Sequence, residues 1–216
     1  MDAYTNPFYQ FLLLTCMLGW LISYVVIIRR GIKDRACGMP LVPLCINLSW
    51  EFIFGFMHPD LPPANYVCMA YFVLDLGIVW TYFKYGRDEM PALLPRVLFI
   101  PAFLLVLAMS FAGVLAITYH FNDWTGSYTG WGDNLIIPCM LIAMLLRRGN
   151  TRGQSMYVAV LTWLASIALV PFEMRTSPDS LLLNYLYVGF ILFGAIYIVL
   201  LYRTFKAEGK QPWRVW

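Results

Sequence analysis

The chain has 216 residues, of which 61% are hydrophobic and 12% are charged, and its formal net charge is +3. A soluble domain carries roughly 45–50% apolar and about 25% charged residues, so a soluble fold of this length would leave much apolar surface in water. The composition excludes a soluble globular enzyme, a disordered chain and a nucleic-acid-binding module. It predicts a polytopic membrane protein.

Seven apolar stretches follow one another along the chain, and a membrane-spanning helix needs roughly 20 such residues. The stretches are continuous rather than alternating, which favours helices over the strands of a barrel. We predict an all-α fold, a seven-transmembrane-helix bundle that forms a single domain over residues 1–216. The predicted spans are 8–28, 39–56, 66–83, 97–119, 131–146, 156–170 and 182–202.

Basic residues alternate between the segments that flank these spans. From the N-terminal segment to the C-terminal one, the eight segments hold none, four, none, three, none, three, one and four Lys or Arg residues. Fourteen of the fifteen therefore lie on one side of a seven-helix bundle. The positive-inside rule then predicts an outside N-terminus and a cytoplasmic C-terminus.

Two acidic residues lie in the middle of predicted spans, Glu51 in the second and Asp75 in the third. An ionisable side chain inside a membrane is costly and is a functional candidate by default. The two spans are antiparallel neighbours joined by a short segment, so both carboxyls should lie at similar depth and face one cavity. We predict that Glu51 and Asp75 are catalytic.

Helical spacing predicts an aromatic pocket around these acids. Asn47 lies four residues before Glu51, on the same helix face, and is predicted to orient it. Burial favours the neutral carboxyl, which can donate a proton, and aromatic faces stabilise a developing cation. This combination suits carbocation chemistry on a hydrophobic substrate. The residues predicted to bind substrate are Asn47, Trp50, Phe54, Tyr71, Phe72 and Trp80.

Three segments resemble the small integral-membrane terpene cyclases, the PaxB-like enzymes of fungal meroterpenoid and indole-diterpene pathways and their bacterial relatives. They are residues 47–52 (NLSWEF), 74–79 (LDLGIV) and 148–155 (RGNTRGQS). The resemblance implies an enzyme that cyclises a prenyl chain attached to a scaffold: an acid protonates a terminal epoxide or alkene, the cation runs through the chain, and a proton is lost. The family's Trp-Glu acid falls on Glu51.

The last span departs from the fungal pattern. The resemblance implies a second acid there, three residues before a tyrosine, but Gly194 stands at that position before Tyr197. Either Asp75 takes the partner role, or this chain protonates an unfunctionalised alkene. The chain also lacks the Asp-rich strings DDxxD and DxDD, so a metal-independent, non-redox cyclase with no cofactor is expected.

Two other readings stay open. One is a seven-helix proton-coupled transporter or sensor, although no counterpart of the Trp-Glu segment is visible in the C-terminal half as an inverted repeat would require. The other is a scaffold whose acids only hydrogen-bond neighbouring helices. The expected partners are a hydrophobic prenylated small molecule and the lipid bilayer, with no nucleic acid. The membrane would be the plasma membrane of a bacterium or the endoplasmic reticulum of a fungus.

Two further expectations concern residues near the ends of spans. The acids Asp123, Asp133 and Glu173 are expected to be solvated rather than catalytic. The segment 148–155 is expected to be structural, with Gly149 ending a helix, Thr151 capping the next one and the arginines on lipid phosphates.

Overall fold

A computed structural model describes residues 5–59, 64–90, 95–177 and 179–214. Within these ranges the chain forms seven α-helices and no β-strand, which confirms the all-α prediction. Residues 60–63, in the predicted short connection between the second and third helices, lie outside the described part. The helices are α1 Pro7–Asp34, α2 Leu41–Phe52, α3 Ala64–Tyr85, α4 Phe99–Phe121, α5 Ser127–Arg148, α6 Met156–Thr176 and α7 Leu181–Ala207.

Six of the helices are long and apolar enough to cross a membrane; the exception is α2. A π-helical turn, Ile53–Met57, continues α2, and the two together are the shorter apolar helix Leu41–Met57. The helix ends differ from the predicted ones because polar residues extend the helices beyond their apolar stretches. The largest differences are in α1, which ends at Asp34, and in α6, which ends at Thr176; the start of α5 at Ser127 is also four residues earlier than predicted.

Local sequence signals account for several helix ends. Asn6 caps α1 by accepting a hydrogen bond from the Phe8 N–H, and Pro7 occupies the first helical position. Ser180 caps α7 in the same way through the Leu183 N–H. Gly149 ends α5 with φ of 63°, a conformation that glycine adopts without strain. The predicted helix stop at Gly149 is therefore confirmed.

Six helices form a closed ring in the order α1, α6, α7, α5, α2, α3 and back to α1, and α4 packs outside this ring against α2. The α1–α6 contact is the most extensive, and small residues allow it. A Cβ atom on Gly19 would lie 2.6 Å from the Ala165 Cβ, so the two helices approach more closely than larger residues would permit. The inward faces of the six ring helices enclose the interior of the molecule.

The segment between α5 and α6, residues 149–155, ties several helix ends together. Arg148 donates to the Cys37 carbonyl and pairs with Glu89, while Arg152 donates to the Asp34 and Arg35 carbonyls. These contacts confirm that the segment is structural, and the expectation that its arginines bind lipid phosphates stays a prediction.

The predicted cap of α6 is wrong. Ser155 occupies the N-cap position of that helix. Thr151 instead donates its backbone N–H and its hydroxyl to the two carboxylate oxygens of Glu208, at 2.7 and 2.6 Å. This anchors the α5–α6 segment to the end of α7. Burial tends to raise the pKa of Glu208, but the hydrogen bonds from Lys210 and Thr151 outweigh it and lower that pKa.

Candidate active site

Glu51 lies in the last turn of α2, directly before the π-helical turn Ile53–Met57. Its side chain points into the ring and is 2% exposed. Single-turn π-helices inside α-helices often occur at functional sites, since the extra residue re-aims the neighbouring side chains. The local backbone therefore places a carboxyl in the apolar interior, as the sequence predicted.

A chain of two hydrogen bonds orients this carboxyl. The Asn47 Nδ2 donates to the Tyr24 hydroxyl oxygen at 2.8 Å, and the Tyr24 hydroxyl donates to Glu51 Oε1 at 2.5 Å. Asn47 thus acts on Glu51 through Tyr24, a residue of α1 that the sequence analysis missed. Because the hydroxyl has a single hydrogen, its donation to Oε1 fixes that oxygen as an acceptor.

The second oxygen of Glu51 has no such contact. Oε2 is buried, and no N–H or hydroxyl group of the described residues donates to it. Glu51 also forms no ion pair with any Lys or Arg in the described ranges. An unpaired carboxylate in an apolar interior is costly, so this environment favours a carboxyl that keeps its proton. With Oε1 accepting, the place left for that proton is Oε2.

Asp75 of α3 is fully buried and lies close enough to Glu51 for the two carboxyls to interact electrostatically. No N–H or hydroxyl group of the described residues donates to the Asp75 carboxyl, but it lies within hydrogen-bond reach of the Glu51 carboxyl, so one proton can be shared between the two. The pairing of these two acids in one interior site agrees with their predicted depth in neighbouring helices.

Asp133 is a third acid of this cluster, and the expectation that it is solvated is wrong. It is 3% exposed, and it interacts electrostatically with both Glu51 and Asp75. The reason is the start of α5 at Ser127, which makes Asp133 the seventh helical residue rather than the third of a span beginning at 131. It therefore lies about 9 Å along the axis from the helix start.

The other two acids expected to be solvated, Asp123 and Glu173, are also buried. Asp123 follows α4 and accepts hydrogen bonds from the backbone N–H groups of Ser127 and Tyr128, so it organises the start of α5. Burial raises the pKa of Asp123, and these backbone hydrogen bonds partly offset the effect. Asp123 is therefore a structural element of the α4–α5 connection.

Four of the predicted aromatic residues differ in how they relate to the site. The Tyr71 ring is 5.3 Å from the Tyr24 ring, which places it beside the Glu51 hydrogen-bond chain. Trp50 donates its Nε1–H to the Gly126 carbonyl and packs on Phe54, so the α4–α5 segment closes over these two rings. Phe72 packs instead against other phenylalanines, in a cluster with Phe52, Phe56 and Phe111.

Trp80 is not brought to the site. It is 46% exposed, its ring lies under the Lys84 Nζ at 4.3 Å, and it contacts Tyr85 edge to face. Its position five residues after Asp75 turns it to a different face of α3.

The position of the missing last-helix acid is filled by an indole ring. A Cβ atom on Gly194 would lie 2.3 Å from Trp163 Cδ1, so no side chain fits there. The Trp163 Nε1–H donates to the Ile191 carbonyl, which holds the ring in place. The packing of α6 on α7 therefore requires glycine at this position.

The comparisons with known proteins agree with one family. The family model described as "Pyr4-like transmembrane terpene cyclases" matches residues 3–207. The Pyr4-family terpene cyclase mfmH of Annulohypoxylon moriforme is 33% identical over 159 residues, which cover 69% of this chain and 63% of that protein.

Two further curated relatives align over most of both chains. The terpene cyclase olcD of Penicillium canescens is 28% identical over 211 residues, covering 92% of this chain and 86% of the relative. The terpene cyclase cle7 of Aspergillus versicolor is 28% identical over 210 residues, covering 89% and 86%. No solved structure matches.

Proposed function

The chain belongs to the Pyr4-like transmembrane terpene cyclases, and from that premise we propose that Glu51 is the acid that starts the cyclisation of a prenyl chain attached to a scaffold. The protein is an integral-membrane terpene cyclase of the metal-independent isomerase or lyase type. The observation that carries the assignment is the Glu51 carboxyl itself, which is buried, accepts at Oε1 from Tyr24, receives no donor at Oε2 from the described residues and lies beside the Asp75 carboxyl.

The membrane arrangement follows from the helices and the charges. We propose that all seven helices span the bilayer, with the N-terminus outside and the C-terminus in the cytoplasm. Leu41–Met57 is short for a span, at about 25 Å for 17 residues against a hydrocarbon core of about 30 Å. The one-sided distribution of fourteen basic residues supports its inclusion, since six spans would break the alternation.

The first chemical step is a proton transfer from Oε2. With an alkene, the O–H bond breaks, a C–H bond forms at the less substituted alkene carbon, and a tertiary cation remains. With a terminal epoxide, the proton goes to the epoxide oxygen and the C–O bond opens. As Glu51 becomes a carboxylate, the Tyr24 hydrogen bond to Oε1 becomes charge-assisted and stronger, which stabilises the transition state.

Later steps need no oxidant or reductant. The remaining double bonds of the prenyl chain attack the cation in turn and form the rings, and transfer of a C–H proton to a water molecule ends the cascade. The product is an isomer of the substrate. Tyr24 and Tyr71 present neighbouring aromatic rings at the start of this path, and such rings stabilise a nearby cation.

Asp75 is proposed to pass a proton from water to Glu51 after each turnover, which replaces the proton given to the substrate. Its buried carboxyl interacts with that of Glu51 through space, and Asp133 extends the acidic cluster toward the start of α5. In this division of roles the second acid lies on α3, whereas the fungal pattern implies a second acid on the last helix.

The substrate is proposed to be a hydrophobic prenylated small molecule taken from the bilayer, in the endoplasmic reticulum of a fungus or the plasma membrane of a bacterium. The transporter or sensor reading is not favoured, because the curated relatives are named as terpene cyclases.

The test is the fate of a solvent deuteron. Membranes containing the protein are incubated in D₂O with a prenylated aromatic substrate as the free olefin and, separately, as the terminal epoxide. The olefin should give a cyclised product with one carbon-bound deuterium at the former terminal alkene carbon, and the epoxide should give none there. An olefin-derived cyclic product without that deuterium would contradict protonation by an exchangeable acid.

A further inference from the structure

A second interior feature lies apart from the Glu51 cluster. It is a cavity of about 30 Å³ between α1, α5, α6 and α7, bordered by the α5–α6 segment. The lining residues include the hydrophobic side chains of Trp20, Ile27 and Leu141. They also include three polar side chains that are all more than nine-tenths buried: Arg30, Gln154 and Ser155.

Each of these three side chains presents a polar atom that lacks a partner. Arg30 Nε, Gln154 Nε2 and Ser155 Oγ form no hydrogen bond with any described residue. Buried polar atoms are almost always paired with protein, water or ligand, so three unpaired ones around one cavity point to a missing polar group. A cavity of this size accommodates a group as large as a water molecule.

The chemistry of the missing group follows from the atoms that are already engaged. Arg30 Nη2 pairs with Asp34 Oδ2 at 2.8 Å, which balances its charge, and Gln154 Oε1 accepts from the Tyr197 hydroxyl at 2.9 Å. The unpaired atoms of Arg30 and Gln154 are therefore N–H donors, and the Ser155 hydroxyl is a third unpaired polar group beside them. The site therefore suits a neutral hydrogen-bond acceptor rather than a cation or a bulky anion.

The α5–α6 segment holds these donors in position. Its last residues, Gln154 and Ser155, belong to the RGNTRGQS motif, and the Gly153 N–H donates to the same Asp34 Oδ2 that pairs with Arg30. Gly153 adopts φ of +76°, and its carbonyl oxygen would lie 3.0 Å from a Cβ on Gly38, so this turn is tightly packed. The motif thus has a role beyond joining helices.

We propose that Arg30, Gln154 and Ser155 form a subsite for a carbonyl or hydroxyl oxygen on the scaffold that carries the prenyl chain, an inference that rests on the proposed function. Tyr24 and Arg30 are both buried residues of α1 and lie six positions apart. Tyr24 donates to Glu51, and Ile27, between the two residues, lines the cavity. Six residues of α-helix correspond to about 9 Å. The acid then meets one end of the substrate and the donors hold the other.

The subsite would fix the register of the prenyl chain against the acid. The cavity accommodates the oxygen alone, so binding of the rest of the substrate requires neighbouring apolar side chains such as Leu141 to move. A scaffold without the acceptor leaves buried donors unpaired in the complex, which is the strongest basis for discrimination between similar ligands.

The test measures binding without turnover. The full-length Glu51→Gln protein in lipid nanodiscs is titrated with a prenylated aryl ketone and with its deoxy analogue, in which CH₂ replaces C=O and the prenyl chain is the same. The ketone should bind about tenfold more tightly, as expected for hydrogen bonds made in a buried site. Adding Ser155→Ala should weaken ketone binding by about threefold and leave deoxy binding unchanged.

The Ser155 hydroxyl has no hydrogen-bond partner among the described residues. If Ser155 has only a structural role, Ser155→Ala should not change the ratio of the ketone affinity to the deoxy affinity. The matched control is Thr118→Val, which removes another buried hydroxyl that lacks a described partner, on α4 and outside the ring. Equal affinities for the two probes, or an equal loss for both in Ser155→Ala, would overturn the subsite. Turnover by Glu51→Gln would instead contradict the proposed function, and it is measured separately.

Discussion

Replacing Tyr24 by Phe removes one hydroxyl and keeps the ring. That hydroxyl donates to Glu51 Oε1 at 2.5 Å, and Glu51 gains negative charge as it gives up its proton. A hydrogen bond to a charged group contributes about 1.5–3 kcal/mol. Since each 1.36 kcal/mol of lost transition-state stabilisation slows a reaction tenfold, Tyr24→Phe should lower the rate of the first turnover by about 10- to 150-fold.

The assay is single-turnover cyclisation in nanodiscs, followed by mass spectrometry, with protein in excess over substrate. Tyr187→Phe is the control, because the Tyr187 hydroxyl is buried on α7 and has no hydrogen-bond partner in the part of the chain that the structure describes. Removing it should leave the rate within about twofold. A folded Tyr24→Phe protein as fast as the wild type would refute the role of this hydrogen bond in catalysis.

Three further changes test other parts of the account. Asp75→Asn should slow steady-state turnover at least about tenfold but spare the first turnover, if Asp75 returns the proton; equal losses in both would contradict that role. Gly194→Ala should cost at least about 1–3 kcal/mol, seen as a lower unfolding temperature, because Trp163 fills that space; Gly113→Ala, whose Cβ meets no described atom within 4 Å, should be better tolerated. The pKa of Glu208 is lowered in the folded protein. The stability that its carboxylate contributes is therefore fully present above the ordinary glutamate pKa of about 4.3, and it is lost as the pH falls through the lowered pKa. The unfolding temperature should therefore fall less between pH 5 and pH 3 in Glu208→Gln than in the wild type, and an identical fall would show that this carboxylate does not matter.

The number of helices and the meeting of Glu51 with Asp75 were predictable from the sequence. Long apolar stretches allow little besides helices, and two acids at similar depth in neighbouring antiparallel helices must lie close if both face inward. The predicted use of Asn47 was correct in part, because it reaches Glu51 through the Tyr24 hydroxyl.

Tyr24 and Asp133 could not be assigned in the same way. Their roles depend on how α1 and α5 are rotated about their axes, and that rotation follows from packing around the whole ring rather than from local periodicity. The α5 helix also begins earlier than its apolar stretch, which made Asp133 look like a residue at the end of a span. The signals available were a single tyrosine deep in the first span and an acid followed by a long apolar helix.

The segment 148–155 shows a different limit. Its glycines predict a turn, and Gly149 does end α5, but hydrogen-bond partners such as Glu208 for Thr151 come from residues far along the chain. Side chains that meet only in the folded bundle leave no local pattern. The same is true of the three donors around the interior cavity.

The most direct test of the central claim is the turnover of Glu51→Gln beside the wild type, in membranes with matched amounts of folded protein. Glutamine keeps the shape of the side chain and an oxygen that can accept from Tyr24, but it has no acidic proton to give. The account predicts cyclised product from the wild type and none above background from Glu51→Gln, with the prenylated substrate recovered unchanged. Cyclisation by Glu51→Gln at a rate near that of the wild type would show that another group supplies the proton.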